Sequence, residues 1–122
     1  MSWKDSLKLN KKIVLATCSK YGIPNAIVVN SKGFVDDKLL INACQMKTTL
    51  NNLRENNKIC IVAKEGGKYY KIKGHAKIYS SGKYFDTAMK RNIPPPVKFV
   101  IVVNIEEVFD LDKNLKLFGL IK

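Results

Sequence analysis

The sequence predicts a mainly β fold, in which six or seven short antiparallel strands close into a small barrel with two short helices. Two observations lead to this prediction: most apolar residues fall in short runs separated by turn residues, and only two segments show helical spacing. The 122 residues match the size of one domain, so residues 1–122 are taken as a single unit. A closed barrel is favoured because it removes exposed strand edges.

Three predicted strands form a meander in the first part of the chain. Each is a short apolar run bounded by turn residues, and they occupy residues 10–18, 25–31 and 37–43. The segments between them are the Gly- and Pro-containing stretch 20–24 and the pair Lys32-Gly33, which we interpret as turns. Because short turns join these strands, we expect neighbours to pair antiparallel.

Two helices interrupt the predicted strands. Two leucines three residues apart among polar residues indicate a helix near residues 48–56, with Thr48 or Thr49 as its N-cap. An aromatic residue and a methionine four residues apart indicate a second helix over residues 82–92. The prolines at 94–96 are expected to end that helix in an extended linker.

Strand-like runs in the second part of the chain complete the predicted sheet. A Gly-Gly hairpin turn separates the run 57–64 from the run 68–80, and two further runs cover 98–105 and 106–112. The run 68–80 alternates strictly, so one face is expected in the core. The opposite face presents Tyr69, Lys71, Lys73, His75, Lys77 and Tyr79.

The composition is strongly basic, with 22 Lys and Arg against 10 Asp and Glu. Only Arg54 and Arg91 are arginines, whereas proteins that read nucleic acids rely on the bidentate arginine fork. We therefore interpret the charge as a solvated lysine surface and do not expect a nucleic-acid partner. The alternative is a nucleic-acid-binding barrel that uses the outward residues of the run 68–80, namely Tyr69, Lys71, Lys73, Lys77 and Tyr79.

Several function classes are disfavoured by what the sequence contains. The single histidine, His75, argues against a histidine-rich metal site, and the cysteines Cys18, Cys44 and Cys60 form no CxxC pair, so we expect reduced thiols. Neither a GxGxxG nor a GxxxxGK[ST] loop is present. With no membrane-length apolar run and no signal-like N-terminus, a cytoplasmic location without membrane contact is expected.

One segment has the residues of a phosphate site. A strand is predicted to end at Ala43 and a helix to begin at Thr48 or Thr49, so helix N–H groups, two hydroxyls and the Lys47 ammonium come together. Two interpretations stay open at this point. Either these groups bind a phosphate, or a threonine only caps the helix while Lys47 points to solvent.

The order of three segments resembles the small flavin-binding members of the pyridoxamine 5′-phosphate oxidase-like superfamily. The segments are ATCSKYGIPNAIVVNS, DKLLINACQMKTTLNNLRENNKICIVA and YYKIKGHAKIYSSGKYFD. The resemblance covers Ile13 to about Asp86. The resemblance implies a split β-barrel of Greek-key type. It also implies a homodimer with FMN at the subunit interface.

The resemblance also implies which residues hold the FMN. The phosphate positions correspond to Lys47 and Thr48, with Thr49 and Asn52 nearby. The positions around the isoalloxazine ring correspond to Val28, Val29, Asn30, Ala43, Cys44 and Gln45. Between Lys47 and the following Asn-Leu pair the sequence is about one residue longer than the family spacing, so the phosphate register can shift by one.

The activity implied by the resemblance is that of an FMN-dependent oxidoreductase or electron carrier with an unidentified redox partner or substrate. No catalytic side chain is expected, because the flavin would supply the redox chemistry and the protein would position it. Oxidation of vitamin B6 is not the expected activity, because no arginine follows Arg91 to hold the substrate phosphate. A reductase that uses a deazaflavin on the same fold is a further alternative.

Overall fold

The computed structural model describes residues 3–43, 46–91 and 97–119. Within these ranges it contains a 3₁₀ turn, seven strands and two α-helices, and neither helix has the length and apolarity needed to cross a membrane. The elements in chain order are the 3₁₀ turn Trp3–Leu7, β1 (Lys12–Cys18), β2 (Pro24–Val35), β3 (Lys38–Ala43), α1 (Lys47–Glu55), β4 (Lys58–Glu65), β5 (Lys68–Tyr79), α2 (Lys83–Lys90), β6 (Phe99–Asp110) and β7 (Leu115–Phe118).

The sheet closes into a barrel of six antiparallel strands. Their order is β3-β2-β1-β4-β5-β6, and pairing between β3 and β6 completes the circle, while β7 pairs with β6 alone. After the β1-β2-β3 meander the chain crosses through α1 and places β4 beside β1, which is the Greek-key connection. The predicted mainly β barrel with two short helices is confirmed.

Alternation along the strands determines the barrel core. In β1, Ile13 and Leu15 are buried while Val14 between them is exposed. The alternation predicted for β5 is also confirmed, since Tyr70 and Ile72 point into the core. In a smaller apolar cluster outside the barrel, Ala88 of α2 is buried together with Leu40, Val100 and Val102.

The turn predicted at Lys32-Gly33 is wrong, because β2 continues through both residues. The register between β2 and β3 shifts between Ser31 and Phe34, so this stretch is a β-bulge. Gly33 adopts φ +77°, a conformation that favours glycine, and the Arg91 guanidinium donates hydrogen bonds to the Lys32 and Phe34 carbonyls over 2.9 and 3.2 Å. A glycine with positive φ is favoured in a turn and in a bulge alike, so the sequence alone does not distinguish the two.

The β2–β3 turn lies four residues beyond the predicted position. Asp36 and Asp37 form it with φ of 50° and 62°, the positive values of a two-residue hairpin turn. Lys83 at the start of α2 contacts the Asp36 carboxylate, which raises the pKa of that lysine through a hydrogen bond and charge attraction. This exposed pair links α2 to the hairpin.

The runs predicted as two strands, 98–105 and 106–112, form the single long strand β6. Its register with β5 shifts between Gly74 and Lys73, which pair with Ile105 and Glu107, so Glu106 is the extra residue of a second bulge. A Cβ added at Gly74 would lie 2.1 Å from the Asn104 carbonyl oxygen. Only glycine allows this close backbone approach.

We expect Gly74→Ala to lower the free energy of unfolding by about 3 kcal/mol, because the new methyl group forces β5 and β6 apart. Gly22→Ala is the matched control: Gly22 has φ +82° but open space around its Cβ position. That control should cost only about 1 kcal/mol, from the left-handed conformation alone. Urea denaturation measures both, and equal losses would contradict the assigned packing role.

Candidate functional site

The barrel has an opening along one edge of β2. From Pro24 to Asn30, β2 pairs residue by residue with β1. Its pairing with β3 begins only at Ser31, where the bulge starts, and the end of β3 pairs with β6 instead. Over residues 24–30, therefore, no described strand occupies the second edge of β2, and backbone N–H and C=O groups on that edge are available to a ligand.

Helix α1 is attached beside this opening by two side-chain hydrogen bonds. Asn25 Nδ2 donates to Thr49 Oγ1 over 3.3 Å, which joins the start of β2 to the first turn of α1. Asn52 Nδ2 donates to Thr17 Oγ1 over 3.1 Å, which joins the middle of α1 to β1. Because Thr49 and Asn52 are both buried, these bonds fix where the helix begins.

The N-terminus of α1 lies next to this anchor, because Thr49 is in the first turn of the helix. The helix begins at Lys47, its N-cap residue is Met46, and it has no side-chain capping bond and no acidic residue in its first turn. The predicted cap at Thr48 or Thr49 is therefore wrong, since both threonines lie inside the helix. The first N–H groups of the helix have no intrahelical acceptor and carry the positive end of its dipole, beside the exposed Lys47 and Thr48.

The other residues that the resemblance implies for the flavin differ in exposure, and only the exposed ones can present a side chain to a ligand. Val28 is 67% exposed and Asn30 is also exposed, whereas Val29 points into the barrel core. Ala43 is buried at the end of β3, so Val29 and Ala43 can contribute only backbone groups or a small surface. Cys44 and Gln45 lie outside the described residues.

A small cleft beside α1 brings two residues implied for the flavin, Ala43 and Lys47, together with residues not predicted for the site. It has a volume of about 350 Å³ and is lined by Ala43, Met46, Lys47, Leu50, Arg54, Lys98 and Phe99. The Arg54 guanidinium lies 5.5 Å from the centre of the Phe99 ring. These residues meet because β3 pairs with β6, a long-range contact that no local pattern reveals.

An apolar patch covers the outer face of the three strands β2, β1 and β4. Val14 pairs with Val28 on one side and with Val62 on the other. The next row contains Ala26, Ala16 and Cys60. These six residues, which we call the apolar face, adjoin the open edge because β2 carries both features.

A larger cavity of about 1000 Å³ is lined by residues of β1, β4, β5, β6 and β7. His75 Nδ1 is 3.0 Å from Glu106 Oε1 at its border, a contact made possible by the bulge that turns Glu106 outward. Cys18 and Cys60, both free cysteines, also line the cavity.

We expect Thr17→Val to lower the free energy of unfolding by about 2 kcal/mol, because the buried Asn52 amide loses its acceptor. Thr48→Val is the control, since Thr48 is exposed at the helix start and the change should stay within about 0.5 kcal/mol. Thermal or urea denaturation of the two variants tests this anchor of α1. Unchanged stability of Thr17→Val would show that the hydrogen bond does not hold the helix.

Comparison with known proteins agrees with this architecture. A protein-family model described as pyridoxamine 5′-phosphate oxidase matches residues 3–112. No curated protein gave a significant match.

Solved structures similar to this chain share its fold. HupZ from Group A Streptococcus has 22% identity and a TM-score of 0.82, covering 96% of this chain and 99% of its own. An FMN-binding protein from Syntrophomonas wolfei has 18% identity and a TM-score of 0.71, covering 98% and 83%. HutZ, the heme storage protein from Vibrio cholerae, has 14% identity and a TM-score of 0.67, covering 90% and 89%. Because the family model spans nearly all of the sequence, this chain belongs to the pyridoxamine 5′-phosphate oxidase family.

Proposed function

We propose that this protein binds FMN at the opening between β2 and α1 and acts as a flavin-dependent oxidoreductase or electron carrier. The observation that carries the proposal is the position of an uncapped, cationic helix N-terminus beside the unpaired edge of β2. Family membership supports a flavin, and so does the shared fold with an FMN-binding protein.

The start of α1 suits the phosphate end of FMN. The phosphate is dianionic, and the first helix N–H groups, the Lys47 ammonium and the Thr48 hydroxyl offer donors and positive charge with no carboxylate in that turn. Thr49 and Asn52 have another task here: their side chains are bonded to Asn25 and Thr17, so they hold the helix in place.

The open edge of β2 suits the flat ring of the cofactor. Backbone groups of residues 28–30 can form hydrogen bonds with the polar rim of the ring, and the exposed Val28 side chain offers an apolar contact. A bound flavin would supply hydride or electron transfer. The role of this chain is then to bind the ring, orient it and limit its contact with water.

A homodimer through the apolar face is part of the proposal. The patch contains Val14, Val28 and Val62 side by side, and Val28 is 67% exposed in the single chain. Exposed apolar patches of this kind are typical of subunit contacts. Since β2 carries both Val28 and the open edge, dimerisation would place the flavin near the partner subunit.

A haem is the second candidate ligand, favoured by one specific observation. HutZ is a heme storage protein with the same fold. His75 Nδ1 contacts Glu106 over 3.0 Å, the kind of support that metal-ligating histidines receive, and this leaves Nε2 for a metal beside the cavity of about 1000 Å³. A haem bound in this way would lie in that cavity, and the opening at β2 would bind no ligand.

The absorption spectrum of the purified protein separates these candidates. We expect flavin bands, or their appearance after FMN is added, and FMN as the chromophore released on denaturation. A deazaflavin in the released fraction would change the cofactor, and a Soret band would favour haem. A colourless protein that also fails to bind added FMN would contradict the proposed function.

We expect Lys47→Ala to raise the dissociation constant for FMN about tenfold, because a charge-assisted phosphate contact contributes roughly 1.5 kcal/mol or more. Lys90→Ala removes the same charge from the exposed surface of α2 and is the matched control. Quenching of FMN fluorescence measures both affinities. Equal affinities in the two variants would remove Lys47 from the phosphate site.

We expect Val14→Asp to convert the dimer to a monomer, because two unpaired carboxylates would be buried at a symmetric contact. Leu111→Asp is the control, since Leu111 is a similarly exposed apolar residue, 43% exposed against 37% for Val14, outside the apolar face. Light scattering coupled to size-exclusion chromatography gives the mass of each variant. A dimeric Val14→Asp protein would exclude the apolar face as the interface.

A further inference from the structure

Lysine and aromatic side chains alternate on the outer surface of β4, β5, β6 and β7. Lys71 pairs across the sheet with Phe109, which pairs with Lys116 on β7. The two ammonium groups lie 4.7 and 5.7 Å from the centre of the Phe109 ring, and Lys73 lies 6.0 Å from it. On the next row, Lys64 lies 5.3 Å from the Tyr69 ring. We call this set of six residues the basic face.

The basic face keeps an excess of positive charge. From Lys58 to Tyr79 the chain has six lysines and one glutamate. In the part of the chain that the structure describes, no carboxylate lies within 4.0 Å of Lys64, Lys71 or Lys73.

The acidic groups around the basic face have partners other than Lys64, Lys71 and Lys73, and one of them, Glu107, pairs within the face. Glu107 pairs with Lys116 over 2.7 Å, and Glu106 pairs with His75. Glu65 pairs with Lys11. Asp110 accepts backbone N–H groups of the β6–β7 turn, and Asp112 accepts the Tyr69 N–H. Three lysines of the basic face, Lys64, Lys71 and Lys73, are thus available to an external anion.

We propose that the basic face binds single-stranded nucleic acid without reading its sequence. The lysines would contact phosphates, and Tyr69 and Phe109 would stack on bases once their lysines move onto the phosphates. Tyr69 is 44% exposed, so its ring is already accessible. Flat β-surfaces with aromatic residues between lysines are the pattern used for single strands.

A single strand fits this surface better than a duplex. The basic face is built from strands alone and presents no helix that could enter a major groove. Its cations are all lysines, which act as point charges on a backbone and do not provide the bidentate fork that reads base edges. None of its six residues belongs to the opening at β2, so failure of the flavin proposal would leave this one intact.

Fluorescence anisotropy of a fluorescein-labelled oligothymidylate tests the proposal. We expect binding at low salt, with the logarithm of the binding constant falling against the logarithm of the salt concentration at a slope of about −2 to −3, for three or four phosphate contacts. Lys71→Gln/Lys73→Gln should weaken binding at least tenfold. Lys83→Gln/Lys90→Gln removes the same charge from α2 and should change binding less than about twofold, because long-range charge effects are screened.

A separate variant tests whether the aromatic side chains stack on bases. Tyr69→Leu keeps an apolar side chain at an exposed position and should weaken binding about tenfold, the loss of one base stack. Equal weakening in the two double-lysine variants, or equal competition by a duplex of the same length, would show binding by net charge alone and overturn the proposal. Binding to phosphatidylserine vesicles with none to the oligonucleotide would also overturn it.

Discussion

The bulge in β2 between Ser31 and Phe34 is the constraint on which the architecture of the site depends. Gly33 supplies the positive φ, and Arg91 at the end of α2 fixes the bulge by bonding the Lys32 and Phe34 carbonyls. Bulges bend the strand that carries them. On the N-terminal side of this one, β2 stays paired with β1 and leaves β3, which opens the barrel where backbone groups can meet a ligand.

Helix α1 turns this opening into a site with two chemically different ends. Its buried side is used for attachment through Thr49 and Asn52, and among the described residues its first turn has no side-chain capping bond and no acidic residue. A helix held by buried side chains can leave its first N–H groups for an anion. The apolar face adjoins the same strand, so the features proposed to bind phosphate, ring and partner subunit all meet at β2.

Local patterns in the sequence predict the barrel well, because alternation and turn chemistry depend on neighbouring residues. Gly66 and Gly67 form the predicted hairpin with φ of 57° and 81°. The features that local patterns fail to predict depend on tertiary contacts. The hydroxyl of Thr49, one of the two predicted caps, accepts a hydrogen bond from the Asn25 side chain. Arg54 contacts Phe99 only because β3 pairs with β6. The resemblance implies Lys47 and Thr48, which are exposed at the start of α1, and it also implies Val29, whose side chain is buried in the core.

The most direct test of the proposed site is an NMR titration of isotope-labelled protein with FMN. The account predicts that amide resonances of residues 25–30 and of Lys47, Thr48 and Thr49 shift together as FMN is added. Resonances of Gly74 and His75, which line the cavity of about 1000 Å³, should stay unchanged. Shifts confined to that cavity, with the β2 edge and the start of α1 unaffected, would contradict the central claim.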